Sequence, residues 1–248
     1  MIDVHCHLTE DVLFSKLEKV LADARNAAVK GLITSGTSYE DDCRVLEISD
    51  NRYVYASLGL MPYYNEDPER VIALAERNRD KIVAIGEVGL DYYLGASETR
   101  QRQQDVFRRF IEASREMDLP LVIHSRSAGK YALDLLISMG AERVVMHAFD
   151  GSAGTAERGA AKGYFFSIPP SVVRSEQKQK LVRRLSLENL LLESDAPALG
   201  PESGVVNYPC NLVISAEHVA RLKGVGLERV VEITSRSAAE LFRLQIHF

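Results

Sequence analysis

Eight short apolar runs recur along the chain, at residues 2–8, 31–37, 54–60, 82–90, 121–125, 144–149, 164–168 and 190–194, and longer stretches of helical period separate them. Such regular alternation is the pattern of consecutive strand–helix–strand units around a parallel sheet. The clearest helical stretches are 11–30 and 98–118, and a helix pair at 216–223 and 227–244 ends the pattern. Several runs are apolar at consecutive positions (VVMHAF, YFFSI, NLLLES), as strands must be when one face fills a barrel and the other packs under helices. Eight strands is the number a closed (β/α)8 TIM barrel needs. An open doubly wound sheet is the competing arrangement, but no GxGxxG follows the first run to cradle a phosphate. The 248 residues contain no linker-like or low-complexity segment, so 1–248 is expected to be a single α/β domain.

Charge and cysteine usage exclude several function classes. A formal charge of −5 argues against a broad basic face for nucleic acid, because nonspecific affinity comes from phosphate neutralisation by Lys and Arg; any such contact should be local. The start, MIDVHCHLTE, has no basic or long apolar leader region, and no run approaches the roughly 20 apolar residues of a membrane span. The expected location is cytoplasmic, with no membrane partner. Cys6, Cys43 and Cys210 are scattered, with no CxxC pair, and are expected to be reduced thiols.

His5 and His7 lie two apart on the first strand, so the strand period turns both imidazoles to one face. A lone strand histidine is more often core than ligand. Here, however, the motif recurs: Glu87 ends VAIGE, His124 ends LVIH, His147 ends VVMH and Asp195 ends LLLESD. In a barrel these C-terminal strand ends converge on one mouth, where active sites of this architecture sit. Four histidines and two carboxylates buried together without a cation would be costly. Imidazole with carboxylate suits Zn²⁺, Mn²⁺ or Fe²⁺, with Mg²⁺ content with fewer nitrogens. Six donors exceed the needs of one tetrahedral zinc, so two adjacent divalent ions are expected, bridged by Glu87 and sharing a water whose pKa they depress.

The ordered motifs His-x-His, GEVGLDYY (residues 86–93), LPLVIHSRSA (119–128), HAFDGS (147–152), LLESDAP (191–197) and TSRSAAELF (234–242) are similar to those of TatD-type metal-dependent hydrolases over residues 2 to about 243. That resemblance implies an amidohydrolase-like barrel, divalent metals and phosphodiester hydrolysis described as DNase activity. It implies the same six ligands. The chain departs from the common pattern at Met61, where many members have histidine, at Ser127 for aspartate, at Asp150 in HAFDG, and in the segment before Asn207 and Pro209, which resemble the family's Asn-x-Pro without the usual basic residues. With the FFSIPP segment at 165–170, these features resemble the TatD domain-containing 3 branch.

Other residues receive expected roles. Asp195 is the leading general base, with Glu87 beside it at the reacting centre. Asp91 and Glu193, on the same strand faces as Glu87 and Asp195, either orient ligand histidines or tether loops. Arg126 is placed to grip a phosphate oxygen, Tyr92 to stack on a base, with Tyr63 and Tyr93 as lesser candidates, and Asn207 to contact substrate. Cys6 should face the helices, His218 and His247 should be bystanders, and the basic run 178–184 reads as a solvated helix face. Two other substrates fit the same centre: the ester of an aminoacyl-tRNA, a role also associated with the family, and a small amide or lactone. The latter enzymes often use a carboxylated lysine at the fourth strand, where this chain has Glu87. A metal-binding scaffold without activity is the non-enzymatic alternative, against which all six ligand positions being filled is the argument. The expected state is a monomer.

Overall fold

The computed structural model describes residues 1–246, so His247 lies outside the described residues. Eight parallel strands, β1 (Ile2–Cys6), β2 (Gly31–Ser35), β3 (Val54–Leu58), β4 (Ile82–Gly89), β5 (Leu121–His124), β6 (Val144–Met146), β7 (Phe165–Ile168) and β8 (Leu190–Leu192), pair in sequence order. Helices alternate with them, the longest being Arg100–Met117 and Leu227–Phe242. The ring closes beyond the last ladder. Ser194 N–H donates to Asp3 Oδ1 at 2.8 Å, Asp195 N–H to the His5 carbonyl at 2.9 Å and His7 N–H to the Ala196 carbonyl at 2.8 Å. This is the (β/α)8 barrel, and its closing seam runs through three residues expected to be ligands.

The barrel interior is layered, as in other barrels of this architecture. Its lower layer takes at least one apolar residue from every strand: Ile2 and Val4, Ile33, Tyr55, Ala84, Val122, Val145, the partly buried Phe165, and Leu191. Ala238, Leu241 and Phe242 of the last helix, with Leu244, seal it from below. Outward-facing Cys6, Leu32, Ala56, Ile123, Met146, Phe166 and Leu192 belong to the larger core beneath the helices. Above the inner apolar layer, Ser35, Ser57 and Ser167 bring hydroxyls two residues further along their strands, all buried.

Two strands break the simple alternation. β1 shifts register between Asp3 and Cys6, and β4 between Ile85 and Val88. In consequence Val4 and His5 both serve the interior, and so do Ala84 and Glu87, although strict period two would put each pair on opposite faces. β4 also passes close to its neighbours. A Cβ on Gly89, whose φ is +146°, would meet the His124 carbonyl oxygen at 2.1 Å, so only glycine lets the β4–β5 pair close at the level of the site.

No helix among the described residues is long and apolar enough to cross a membrane. All three cysteines are free thiols.

Candidate metal centre

The six expected ligands come together at the C-terminal mouth, and their donor atoms fall into two overlapping sets. Around one point stand His5 Nε2 and His7 Nε2, 3.1 Å apart, with Glu87 Oε2 at 3.4 and 3.3 Å from them and Asp195 Oδ1 at 3.5 and 3.7 Å. Around the other, Glu87 Oε1 lies 2.6 Å from His124 Nδ1 and 3.6 Å from His147 Nε2, and Asp195 Oδ1 is 3.7 Å from that same His147 nitrogen. Two donors about 2.1 Å from one ion lie roughly 3.0 to 3.4 Å apart for right-angle to tetrahedral geometry. Most of the observed separations sit at or slightly above that range. The Glu87 carboxylate turns one oxygen to each set, so it is the group placed to bridge them.

The histidines' outer nitrogens are also held by acceptors or by a hydroxyl. His7 Nδ1 sits 3.0 Å from the Ser35 carbonyl oxygen, which can only accept. His147 Nδ1 sits 2.7 Å from Glu193 Oε2, and His124 Nε2 is 2.8 Å from Asp91 Oδ2. Each outer nitrogen therefore faces an acceptor, so that when a cation takes the inner nitrogen it is the outer one that keeps its proton. For His5, the Ser35 hydroxyl stands at Nδ1, 3.1 Å away. The donor chemistry thus fits divalent cations.

Electrostatics say the same. Burial alone would raise Glu87, but the charges of His124, His147 and His5 hold its carboxyl well below the usual range. Burial would lower His7 and His124, yet Glu87 beside both, joined by Asp91 at His124, raises each to about 9. His5, deepest in the cluster, is lowered to about 4 by burial and by His147. Burial pushes Asp195 up to about 6.

Asp91 and Glu193 each do two things. Asp91 Oδ1 accepts the N–H groups of Tyr93 and Leu94 at 2.9 and 2.7 Å while Oδ2 faces His124. Glu193 faces His147, accepts the Ala148 N–H at 2.9 Å and the Ser167 hydroxyl at 2.6 Å. Loop tethering and histidine orientation are the same contact set. Converting Glu193 to Gln should therefore lower metal affinity by about 10- to 100-fold with the fold intact, measured by competition with a chromophoric chelator.

A cleft of about 540 Å³ opens over the cluster, its lining including Glu10, Met61, Tyr63, Asp91, Leu94, Arg126, Asp150, Lys178 and Leu199 besides ligands. Two expected substrate contacts are not among its walls. Asn207 is fully buried, with its amide donating to the Ser194 carbonyl at 2.7 Å and accepting from Asn211 at 2.9 Å, so it braces the segment after β8 instead. Tyr92 is half-buried behind the mouth: its hydroxyl accepts from Gln104, and its ring packs under Arg100 and against Tyr131. Tyr63 is the tyrosine that lines the cleft. Arg126 lines it too, with its guanidinium 4.0 Å over the Tyr93 ring. Met61 is an almost fully buried apolar wall. His218 lies on the helix Leu212–Lys223 beside Arg221, away from the cleft.

Lys178 was not legible as a cleft residue, because its run reads as one basic helix face. Ser35 and Ser167 were equally missed; their one signal is a serine two positions after an inward apolar residue on β2 and β7.

The sequence model of the family described as TatD related DNase matches residues 2–243. The chain is 41% identical over 258 residues to the putative deoxyribonuclease TATDN3 of Mus musculus, covering 98% of this chain and 88% of that protein. It is 40% identical to the deoxyribonuclease TATDN3 of Homo sapiens, with 98% and 94% covered. Among solved structures, the TatD homologue YJJV of Escherichia coli superposes with a TM-score of 0.90 at 28% identity, 98% of each chain covered. With the motifs and the barrel in agreement with these matches, the chain belongs to the TatD-related DNase family.

Proposed function

We propose that the protein is a divalent-metal-dependent phosphodiesterase that cleaves DNA. The observation that carries this reading is the Glu87 carboxylate with one oxygen in each of two donor sets, His5, His7 and Asp195 on one side and His124 and His147 on the other. Two divalent ions held there, Zn²⁺ first and Mn²⁺, Fe²⁺ or Mg²⁺ as alternatives, would make a water acidic near neutral pH and draw charge from the ester's non-bridging oxygens.

The chain's own groups supply the rest. Asp195 Oδ1 stands within 3.7 Å of His5, His7 and His147 nitrogens, at the join of the two sets, where it can take the proton of the attacking water. Asp91 and Glu193 keep His124 and His147 from rotating as that proton moves. Arg126, at the rim, offers a planar pair of donors to phosphate oxygens. Met61 and Leu199 line the cleft with apolar surface, limiting water to the polar floor and strengthening charge interactions there.

The test is incubation of the purified protein with plasmid and single-stranded DNA, and with charged tRNA, under added Zn²⁺, Mn²⁺ or Mg²⁺. Metal-dependent strand cleavage, abolished by chelator, is the expected result. Release of amino acid from tRNA without strand cleavage would replace this reading with the acyl-ester one.

A further inference from the structure

The cleft contains a cation that neither the metal centre nor the general-base role uses. Within the basic run 178–184 the side chains part company. Lys180 and Arg184 are 69% and 62% exposed and pair with Glu176 and Glu157, as solvated helix charges do. Lys178 instead turns into the cleft beside Asp150 and Asp195. The helix start fixes it there, with the Lys178 N–H capped by Ser175 Oγ at 3.3 Å.

Its ammonium donates to the Ala148 carbonyl at 3.0 Å and makes no ion pair with a described residue. An ammonium carries three donors, so two remain. Burial lowers its pKa, opposed by the charges of Glu193, Asp150 and Asp195. These carboxylates act on the ammonium from a distance, and none of them takes up its two remaining donors, which stay open to an oxygen acceptor entering the cleft. Also lining the cleft, after β5, the exposed Arg126 guanidinium stacks on Tyr93 and makes no hydrogen bond to a described residue. Cations therefore follow β5 and β7, with Asp150 between them, whereas the wall after β3 and β4 is Met61, Tyr63 and Leu94, its one carboxylate there, Asp91, being engaged with His124. The cleft is polarised: one side suits phosphate oxygens, the other an aromatic or sugar ring.

We propose that Lys178 is a substrate-binding residue which, with Arg126, takes the phosphate oxygens of the substrate and orients its organic group against Met61 and Tyr63. This rests on the phosphodiesterase reading above and extends it to the direction in which the ester lies.

The experiment compares wild type with Lys178→Met and Lys178→Arg, all metal-loaded. It measures kcat and KM on thymidine 5′-(p-nitrophenyl phosphate), the Kd for inorganic phosphate by calorimetry, bound metal and Tm. Lys178→Met should raise both KM and phosphate Kd by about tenfold or more, the scale of one charge-assisted contact, with metal content unchanged; Lys178→Arg should recover most of the loss. A Lys178→Met protein with a lowered Tm but wild-type phosphate Kd would overturn the proposal and leave Lys178 as a tether for Ala148. Should Lys178→Met not fold, the same comparison is made with Lys178→Gln, with the same outcomes deciding. Absence of phosphodiester turnover in wild type would sink the enzymatic reading, while the phosphate calorimetry would still decide for or against Lys178.

Discussion

Asp195→Asn should leave the barrel folded and lower kcat by at least about a thousandfold, combining loss of a general base with a weakened cation site. Asparagine is the informative replacement for a backbone reason. Asp195 has φ +52°, a left-handed conformation that Asn tolerates and most other residues resist. Its N–H bond to the His5 carbonyl closes the barrel seam, and Asn keeps that bond. What changes is the side chain: Oδ1, within 3.7 Å of three histidine nitrogens, loses its negative charge and its capacity to accept a proton from water. Circular dichroism and Tm near wild type, with kcat on a chromogenic phosphodiester reduced at saturating metal, is the expected pair of results. Turnover that survives unaltered at saturating metal would remove Asp195 from the proton-accepting role.

The positions of these donors were largely legible because a strand in this fold is short and buried on both faces. Runs such as VVMH and LLLESD carry their ionisable residues at the C-terminal end, so the residue types that follow the apolar part mark the mouth. The ladders stop earlier than the apolar runs do. β6 ends at Met146 and β8 at Leu192, so His147 and Asp195 stand past the ladders, each held by one backbone bond, to the Ile123 and His5 carbonyls. What escaped the sequence is what depends on contacts distant along the chain. The register shifts of β1 and β4 send Val4 with His5, and Ala84 with Glu87, to one side, and no local pattern announces them. Asn207 sits in a family motif yet spends its amide on Ser194 and Asn211. Lys178 and Lys180 are two apart on one helix, and only its packing beside the mouth separates a cleft cation from a surface one.

Stripping the divalent ions should abolish turnover and lower Tm, and the Tm gap between loaded and stripped protein should widen as pH rises from about 6.5 to 8.5. The sign follows from the raised imidazoles of His7, His124 and His147. In the cation-free protein His7 and His124 are each held up to about 9, against a usual value near 6.5. A histidine raised on folding stabilises fully below its unfolded pKa, and that contribution fades as pH climbs toward the folded pKa. The stripped protein therefore loses this support across the window. The loaded protein does not, because a cation replaces the proton between Glu87 and each ring. Equivalently, each ion must expel protons below pH 9, so its affinity grows with pH by up to about tenfold, or about 1.4 kcal/mol, per unit for each proton displaced. Asp3, raised to about 8 by burial, is not among the donors and shifts both forms alike, so it drops out of the difference. Calorimetry in two buffers of unlike ionisation enthalpy counts the protons released. A gap that stays constant across the window, with no proton release, would mean that cations do not compete for the His7 and His124 nitrogens at all, and the two-ion centre bridged by Glu87 would have to be abandoned.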